Sequence, residues 1–420
     1  MSKRIVFIGA AGEMAREALK RVVEFEKDAT LLLTDLNEKA VKQVAEDLGG
    51  QAYARVDLYD AAGLKTAIAG ADLVVNGAGP YRLTAEPVMQ ACVEAGINYL
   101  DFDDDTESIT AALSFDDRAK AAGVSVLIGC GASPGWSNVI AVDVVSHLDM
   151  VENIDVVWAA GDEGARPYGD AVIEHFLHAL AGEAVTVRHG DLTTVALGHS
   201  EIADFGPLGI GPLRVYEVGH PEPVMFLRRF KDQGLKNARC LGGFTPAPVM
   251  GMFKGLADAV YGEELTMKEA TRFLQAVLAD QEPDMKPWKY AIGGMWEQVL
   301  KGEVPVEEFQ AVIGAAVRGE HVPFTGGLMV TATGLKDGQQ RSITRRIGFV
   351  DDGWKSMGDA TGACTAAFVN LALQGSQPAG VLTPEDWADP LAFLNVLEAQ
   401  GASADSVSEP SYVVLVPASR

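Results

Sequence analysis

A glycine-rich turn near the start of the chain is the segment with the clearest chemical meaning. Residues 1–15 read MSKRIVFIGAAGEMA, so an apolar run meets the pattern Gly-x-x-Gly-x-x-Ala, which opens onto helix-forming sequence. Residues without bulk let backbone amides and the positive end of a helix dipole come close to two phosphates. The turn therefore predicts a site for a dinucleotide diphosphate. Its expected contacts are Gly9, Ala11, Gly12, Glu13 and Met14, of which Ala11 and Met14 replace glycines of the stricter Gly-x-Gly-x-x-Gly pattern.

An acidic residue after the second apolar run predicts ribose binding. The run TLLLTD ends at Asp35, about twenty residues after the turn, which is the spacing at which dinucleotide-binding domains hydrogen-bond the adenosine ribose. The residues that follow, Leu36 to Glu38, include no arginine that would meet a ribose 2′-phosphate. We therefore expect NAD rather than NADP as the cofactor, and we expect Asp57 to be a further contact.

Two segments further along carry groups suited to proton transfer. Asp101, Asp103, Asp104 and Asp105 follow a predicted strand. Like charges so close raise the proton affinity of at least one carboxylate, which suits a base or an ammonium-binding site; the alternative is a solvated loop that caps a helix. Tyr81 either lines the nicotinamide ring or packs as a loop aromatic. Asp103 and Tyr81 are the predicted catalytic residues, and the loop before Tyr81 adds three predicted cofactor contacts, Ala78, Gly79 and Pro80.

Polar residues in the middle of the chain are candidates for substrate binding. A guanidinium holds a carboxylate through two parallel hydrogen bonds, so Arg214, beside Tyr216, and Arg228 are predicted contacts, with surface ion pairing as the alternative. Asn138 either caps a helix or touches a ligand, and His220 in a Gly-His-Pro turn either contacts substrate or is part of a plain loop. The predicted substrate-binding set is Asn138, Arg214, Tyr216, His220 and Arg228.

Two further patterns are interpreted as structural. Glu174-His175-x-x-His178 places two imidazoles on neighbouring positions of a helix, but no third ligand follows at a recognisable spacing, so an exposed helical face is favoured and no metal is expected. Cys130 lies in a Gly-Cys-Gly segment without an identifiable partner histidine. A small buried residue is therefore favoured over a nucleophile.

The elements that must position these residues first alternate between strands and helices. Residues 1–135 are predicted to form an α/β, doubly wound parallel sheet, which is a Rossmann domain. Apolar runs such as Leu73-Val-Val suit strands that are buried on both faces. The predicted strands are Ile5–Ile8, Leu31–Thr34, Leu73–Asn76, Tyr99–Phe102 and Val124–Ile128, with helices at Asn37–Leu48 and Pro87–Ala95.

The pattern then changes, and residues 136–360 predict a second, α+β domain with a mostly antiparallel sheet. A helical insertion is expected at 248–318, where Thr266 and Glu269 form a capping-box pattern. Helices within 361–400 are expected to return to the first domain, because the small residues of Gly362–Leu373 permit close packing. Before the insertion we expect a helix at Asn138–Val145 and strands at Ile154–Ala159, Val185–Arg188 and Val224–Leu227; after it we expect strands at Leu328–Thr333 and Arg341–Phe349.

Composition excludes several classes of partner. The 420 residues include 58 Asp and Glu against 34 Lys and Arg, so the net charge is -24, which repels nucleic acid and anionic membranes. The four cysteines show no Cys-x-x-Cys spacing, and no signal peptide or membrane-spanning apolar run is recognised. We expect a cytoplasmic protein with a small-molecule substrate and neither nucleic acid nor membrane as a partner.

Several segments together resemble the saccharopine dehydrogenase family, in its bacterial reductase-like branch. They are Asn76–Tyr81, Val93–Asp101, Gly131–Asn138, Val215–Pro223 and Gly380–Glu385. The resemblance implies an NAD-binding first domain completed by the C-terminal helices, and a middle domain that supplies substrate contacts and the interface of a homodimer. Ser133 and Asn138 differ from the residues of the fungal saccharopine-forming enzymes. In this respect the chain is more similar to lysine 6-dehydrogenase relatives.

The resemblance also implies a reaction. Family members use a nicotinamide coenzyme to oxidise or reduce a carbon–nitrogen bond. We therefore expect an NAD-dependent oxidoreductase that acts on an amino acid or an amino acid/keto acid adduct of the saccharopine, lysine or opine type, with hydride transfer to or from nicotinamide C4. The alternatives are a catalytically silent NAD-binding regulator and a reductase of C=C or C=O bonds on the same fold.

Overall fold

The chain is divided between two units, each of which is built from two separate stretches of sequence. The computed structural model describes residues 2–161, 168–206, 210–318, 320, 326–348, 356–401 and 410–414. The first unit contains Met1–Asp143 and Gly358–Ala404, and the second contains Val144–Met357 and Asp405–Arg420. The boundaries predicted from the sequence, after 135 and after 360, lie close to these divisions.

A seven-stranded parallel sheet organises the described part of the first unit. Its order is β3-β2-β1-β4-β5-β6-β15, which is the doubly wound order with one strand added beside β6. The predicted fold class is therefore confirmed. The strands are β1 (Arg4–Ile8), β2 (Thr30–Asp35), β3 (Ala52–Arg55), β4 (Leu73–Asn76), β5 (Asn98–Asp101), β6 (Ser125–Leu127) and β15 (Gly380–Leu382).

Helices connect these strands, and one of them begins earlier than predicted. The helix predicted from Pro87 begins at Tyr81, so Pro87 lies inside it rather than in its first turn, where proline is favoured. The helices are α1 (Glu13–Phe25), α2 (Glu38–Asp47), α3 (Ala61–Ile68), α4 (Tyr81–Ala95), α5 (Thr106–Leu113), α6 (Asp116–Ala122), α7 (Trp136–Ser146), α14 (Met357–Gln374), α15 (Pro384–Trp387) and α16 (Pro390–Ala399).

Small residues let α14 pack closely against α1. A Cβ added at Gly362 would lie 2.5 Å from the Glu17 Cβ and 2.8 Å from the Ala18 backbone nitrogen. This helix is buried over most of its first three turns. The C-terminal stretch therefore completes the first unit, as its small-residue composition predicts.

A mixed sheet organises the described part of the second unit. Its main path is β10-β11-β12-β7-β13-β14-β16, and β8 joins β12 to β9. Among the described strands of this second sheet, only the pairing of β12 with β7 is parallel. The strands are β7 (Met150–Ala160), β8 (Glu183–Arg188), β9 (Asp191–Ala196), β10 (Ser200–Asp204), β11 (Pro212–Glu217), β12 (Asn237–Phe244), β13 (Gly327–Lys336), β14 (Gln339–Gly348) and β16 (Ser411–Val414). Phe349, the last residue predicted for β14, lies outside the described residues.

The strand predicted at Val224–Leu227 is wrong, because this segment lies in a helix, α9 (Glu222–Phe230). Prolines and an acidic residue at its start, and two arginines in its last turn, are the end signals of a helix. The apolar run within it is too short to distinguish a strand from a buried helix face. The remaining helices of this unit are α8 (Asp170–Ala179), α10 (Pro248–Tyr261), α11 (Met267–Leu278), α12 (Trp288–Leu300) and α13 (Val306–Arg318).

Four of these helices occupy the region 248–318, which the sequence predicts as helical. The capping box of Thr266 and Glu269 is present at the start of α11, with both reciprocal hydrogen bonds formed. Close packing of α10 on α12 depends on glycines, because a Cβ at Gly255 would lie 2.2 Å from the Tyr290 carbonyl oxygen. No helix within the described ranges has both the length and the apolar character needed to cross a membrane.

Candidate active site

The turn between β1 and α1 presents backbone amides at a helix N-terminus. Gly9 adopts a φ of 69°, and a Cβ there would lie 2.5 Å from the Ala78 nitrogen, so only glycine allows this approach of two loops. Gly12 is the N-cap of α1, and no side chain caps the helix. The first amides of α1, in Glu13 and Met14, are therefore at the positive end of the helix dipole without a side-chain acceptor from the cap residue.

Asp35 ties the end of β2 to this turn. Its Oδ2 accepts a hydrogen bond from the Ala11 amide at 3.1 Å, and its Oδ1 accepts one from the Asn37 amide at 2.9 Å. The strand pairing places Arg55, an exposed residue at the end of β3, beside Asp35. Arg55 was not predicted from the sequence as a neighbour of Asp35. It lies at the end of β3, and β3 has no apolar run that would mark it as a strand. Asp57 follows β3, and its Oδ1 accepts a hydrogen bond from the Tyr59 amide.

The loop after β4 joins the turn to the acidic segment. Asn76 Oδ1 accepts a hydrogen bond from the Ala78 amide, and the Gly79–Pro80 peptide bond is cis. A Cβ on Gly77 would lie 3.1 Å from the Phe102 ring, so the loop packs against both neighbouring loops. Three predicted cofactor contacts, Ala78, Gly79 and Pro80, thus lie at the carboxyl edge of the sheet with the β1–α1 turn.

Tyr81 packs at the start of α4. Its hydroxyl donates to the Asn76 carbonyl oxygen at 3.3 Å, and its ring meets Phe102 edge to face with centroids 5.8 Å apart. Burial raises the pKa of the Tyr81 hydroxyl well above its ordinary value, and the charge of Asp101 raises it further. This is the packing expected of a loop aromatic, and a catalytic role for Tyr81 stays a prediction.

The carboxylates after β5 are buried, so the interpretation of this segment as a solvated loop is wrong for three of them. The exposed fractions of Asp101, Asp103 and Asp105 are 1%, 0% and 3%. Asp101 accepts hydrogen bonds from the Tyr99 hydroxyl at 2.7 Å and the Gly129 amide at 2.8 Å. Asp103 Oδ1 accepts one from the Asp105 amide at 2.8 Å. The carboxylates are thus arranged by backbone amides rather than solvated by water.

Proton affinity is raised in this cluster. Burial raises the pKa of Asp101 to about 6, although hydrogen bonds from Gly129 and Tyr99 oppose the rise. Burial and the neighbouring Asp101 charge raise the pKa of Asp103 well above its ordinary value, and the nearby Ser108 hydroxyl offsets only part of this. Within the described residues, Asp103 Oδ2 is buried without a hydrogen-bond partner. Asp103 therefore has an oxygen available to hold or accept a proton.

Asn138 is bound to a glutamate that sequence reasoning did not select. Its Nδ2 donates to Glu385 Oε2 at 2.8 Å, and its Oδ1 accepts from the Gly135 amide at 2.9 Å. Glu385 belongs to the Leu-Thr-Pro-Glu segment that follows β15 and is 3% exposed. The Leu-Thr-Pro-Glu segment is one of the segments that resemble the family, and this resemblance could have identified Glu385 as a candidate. Cys130 is fully buried, and burial raises the pKa of its thiol, as expected for a structural residue.

Arg214 and Tyr216 form a polar network within the second unit. The Arg214 guanidinium donates to the Ser200 hydroxyl and to the Glu303 carbonyl oxygen, both at 3.0 Å. The Tyr216 hydroxyl donates to Glu303 Oε2 at 2.8 Å and accepts from Gln298 Nε2 at 2.7 Å. These bonds give both residues structural roles, and a contact with substrate stays a prediction.

The other candidate residues of the second unit differ in their exposure to solvent. Arg228 is exposed in the last turn of α9. His220 is 4% exposed and its Nδ1 lies 2.5 Å from Glu222 Oε2. His175 is buried in α8, so the interpretation of this segment as an exposed helical face is wrong for His175, whereas Glu174 and His178 are half-buried. The His175 ring packs against the rings of Phe176 and His220.

Comparison with known proteins finds similarity to a described family within the first unit. Residues 5–127 match the family described as the saccharopine dehydrogenase NADP binding domain. The carboxynorspermidine synthase of Vibrio cholerae is 27% identical over 199 residues, which cover 44% of this chain and 44% of that protein. The carboxyaminopropylagmatine dehydrogenase of Synechocystis is 27% identical over 184 residues, which cover 41% of this chain and 44% of that protein. These matches span less than half the length of either relative.

A solved structure shares the fold over nearly the whole chain. It is the apo histidine-tagged saccharopine dehydrogenase (L-Glu forming) from Saccharomyces cerevisiae, with a TM-score of 0.66 and 14% sequence identity. The alignment covers 98% of this chain and 100% of that chain. The family resemblance deduced from the sequence motifs is confirmed.

Proposed function

We propose that this chain is an NAD(P)-dependent oxidoreductase acting on a CH–NH bond, because residues 5–127 match the family of the saccharopine dehydrogenase NADP binding domain. The observation that carries the proposal is the buried acidic cluster at the same sheet edge as the dinucleotide turn. The loop after β4 contacts both, since Gly9 approaches Ala78 and Gly77 approaches Phe102. Ligands of doubly wound sheets bind beyond the carboxyl ends of the strands.

Amine oxidation requires the transfer of a hydride and of a proton. When bound, the nicotinamide accepts a hydride, with its electron pair, from the substrate carbon. The amine nitrogen loses its proton as the C=N bond forms, and we assign Asp103 as the group that receives this proton. Only the ionised carboxylate accepts this proton in amine oxidation, and the raised pKa makes it a stronger base; the protonated form, which the raised pKa favours, returns the proton in imine reduction. Tyr81 limits the access of water to this position by its packing against Phe102.

We propose that the substrate carries both an amine and a carboxylate. The net charge of -24 favours a cationic compound over an anionic one. The names of two relatives, a carboxynorspermidine synthase and a carboxyaminopropylagmatine dehydrogenase, describe carboxylated amines. The proposal extends the sequence-based expectation of an amino acid or an amino acid/keto acid adduct to carboxylated polyamines. A homodimer in the cytoplasm is the expected working form.

The test is a panel of substrates with both coenzymes. We expect NADH formation with at least one of lysine, ornithine, saccharopine and carboxynorspermidine, or NADH consumption with a keto acid or aldehyde and an amine. Absence of turnover across the panel, together with tight NADH binding, would contradict the proposal and indicate a coenzyme-binding protein without catalysis. Failure of both coenzymes to bind would contradict the assignment of the first unit's site.

Coenzyme preference gives a first prediction. We propose that NAD is preferred, because the Asp35 carboxylate hydrogen-bonds ribose hydroxyls and repels a 2′-phosphate. Asp35→Asn is expected to weaken NADH binding by about tenfold, the usual loss for a hydrogen bond to a charged group, while NADPH binding is unchanged or improved. Titration of protein fluorescence with each coenzyme measures both constants.

Arg55 supplies the comparison for this experiment. Arg55→Ala removes the basic neighbour of Asp35 in the strand register and is expected to weaken NADPH binding while leaving NADH binding unchanged. A wild-type protein that binds NADPH more tightly than NADH would show the preference for NAD to be wrong. Arg55 would then be the residue that holds the 2′-phosphate.

A further inference from the structure

A buried histidine–carboxylate pair occupies the turn between β11 and α9. His220 Nδ1 and Glu222 Oε2 are 2.5 Å apart, and Glu222 is fully buried. Glu222 is the first residue of α9, where the helix dipole stabilises a negative charge. The carboxylate can only accept, so the imidazole donates its Nδ1 proton. Glu222 thereby fixes both the tautomer and the orientation of His220.

This tautomer leaves the second ring nitrogen as an acceptor. Over the part of the chain that the structure describes, the hydrogen bond with Glu222 is the only one that His220 makes. His220 Nε2 is therefore the ring nitrogen that can accept a hydrogen bond from a donor such as an ammonium group.

Aromatic rings surround this histidine within the second unit. Its ring centroid lies 5.5 Å from that of His175 and 6.3 Å from that of Trp158. Trp158 in turn contacts Phe176 and Phe244, with centroids 5.9 Å and 6.1 Å away. Phe176 and Phe244 also line a narrow cleft whose other described walls are largely apolar. Faces of aromatic rings attract ammonium groups by cation–π interaction.

We infer that His220, positioned by Glu222, accepts a hydrogen bond from a primary ammonium group that is held against this aromatic cluster. The amine class of the ligand rests on the proposed function, but the binding step does not require hydride transfer. Glu222 is a positioning residue that acts through His220. The inference accounts for the presence of a buried histidine–carboxylate pair beside aromatic rings.

A metal ion is the competing occupant. His220, Glu222 and Cys240 offer ligand atoms within 4.8 Å of one another. However, zinc binds nitrogen and oxygen at about 2.0–2.2 Å each, so two ligands of one ion lie well over 2.5 Å apart. The direct contact of His220 with Glu222 therefore leaves no position for an ion between them.

The test is calorimetric titration of the full chain with 1,3-diaminopropane, with 1,3-propanediol as the neutral analogue. We expect the diamine to bind and the diol not to bind. His220→Phe keeps an aromatic ring but removes the acceptor, and it is expected to weaken diamine binding by about tenfold or more. The same exchange at an exposed histidine beside a glutamate, His199→Phe, is the matched control and is expected to have no effect.

Two substitutions of Glu222 separate positioning from packing. Glu222→Asp keeps the charge at the start of α9, and Glu222→Gln keeps the shape. A positioning carboxylate predicts that the aspartate variant retains more diamine affinity than the glutamine variant, whereas a purely structural role predicts the reverse order. Circular dichroism and NADH binding, both expected to be unchanged, report on folding in case one variant is defective.

The outcomes separate this inference from the proposed function. Absence of diamine binding to the wild type, equal affinity in all variants, or one equivalent of zinc in the purified protein would each overturn the ammonium site. In those cases NADH binding and turnover would still support the proposed function. If the wild type does not bind NADH, the proposed function is contradicted, whether or not the diamine binds.

Discussion

Gly12→Asp is expected to abolish binding of nicotinamide dinucleotides while the protein remains folded. Gly12 has the extended backbone conformation of an N-cap, with φ -61° and ψ 150°, and an aspartate side chain there accepts hydrogen bonds from the first amides of α1. These are the amides that the diphosphate needs. The added carboxylate competes for them and repels the phosphates, so we expect NADH affinity to fall by about a hundredfold or more.

Stability should change little in the same variant. Aspartate and glycine at an N-cap differ by only a few tenths of a kcal/mol. A Cβ at Gly12 would lie 3.2 Å from the Gly9 carbonyl oxygen, which requires only a small local shift. Chemical denaturation and calorimetric NADH titration together measure the two effects. A variant that is folded and binds NADH with wild-type affinity would contradict the placement of the diphosphate.

The second unit offers a matched control. Gly169 is the N-cap of α8, with φ -66° and ψ 149°, and no side chain caps that helix. A Cβ added at Gly169 meets nothing within 4 Å. Gly169→Asp therefore introduces the same charge in the same cap geometry, away from the dinucleotide turn in sequence, and it is expected to leave NADH binding unchanged.

Asp103→Asn is expected to remove most of the catalytic rate without weakening coenzyme binding. If Asp103 receives the amine proton, its loss should lower kcat by about 10²–10⁴, the usual contribution of a general acid or base. The amide keeps the shape of the protonated carboxyl and an oxygen for the Asp105 amide hydrogen bond. Steady-state kinetics with the substrate found in the panel, and NADH titration, measure the two quantities.

The same variant should be more stable than the wild type at neutral pH. Burial raises the pKa of Asp103 in the folded protein, so between its ordinary value near 4 and the folded value the folded state holds a proton that the unfolded state has lost. The contribution of Asp103 to the stability of the wild type is therefore fully present below about pH 4. It falls as the pH rises from about 4 towards the raised pKa of Asp103 in the folded protein. Asparagine does not titrate.

The stability difference between the variant and the wild type should accordingly increase with pH. The upper limit of the increase is about 1.4 kcal/mol per pH unit, starting near pH 4. Denaturation at pH 4, 5, 6 and 7 tests this, with Asp117→Asn, an exposed aspartate of α6, as the control that should show no such trend. A difference that stays constant or decreases with pH would mean that Asp103 is ionised in the folded protein.

The elements around the coenzyme were predictable because each carries a local signal. Small residues at Gly9 and Gly12 and the carboxylate of Asp35 have fixed spacings along the chain, and strands such as β4 are buried throughout and begin with an apolar run. The short edge strands β3 and β15 were not predicted, since exposure or a length of three residues removes the periodicity that marks a strand. The error at α9 arose because an apolar run of four residues has no distinctive period.

The partners of the polar side chains could not be predicted for a different reason. The bonds of Tyr216 to Glu303 and of Asn138 to Glu385 join residues that are distant in sequence, and no periodic pattern relates such positions. The burial of Asp103 also depends on how neighbouring loops pack at the sheet edge. By contrast, His220 and Glu222 lie two positions apart, so the motif Gly-His-Pro-Glu could have suggested their pairing.

The late strand β15 also constrains how the protein is made. The Ser125 hydroxyl beside β6 donates to the Gln377 carbonyl oxygen, 252 positions later. A ribosome needs on the order of ten to fifty seconds to synthesise such a stretch. Throughout that interval β6 is an unpaired edge of the nascent sheet, and unpaired edges of this kind can pair with other chains. Any product that ends before Gly380 lacks β15 and keeps this edge unpaired.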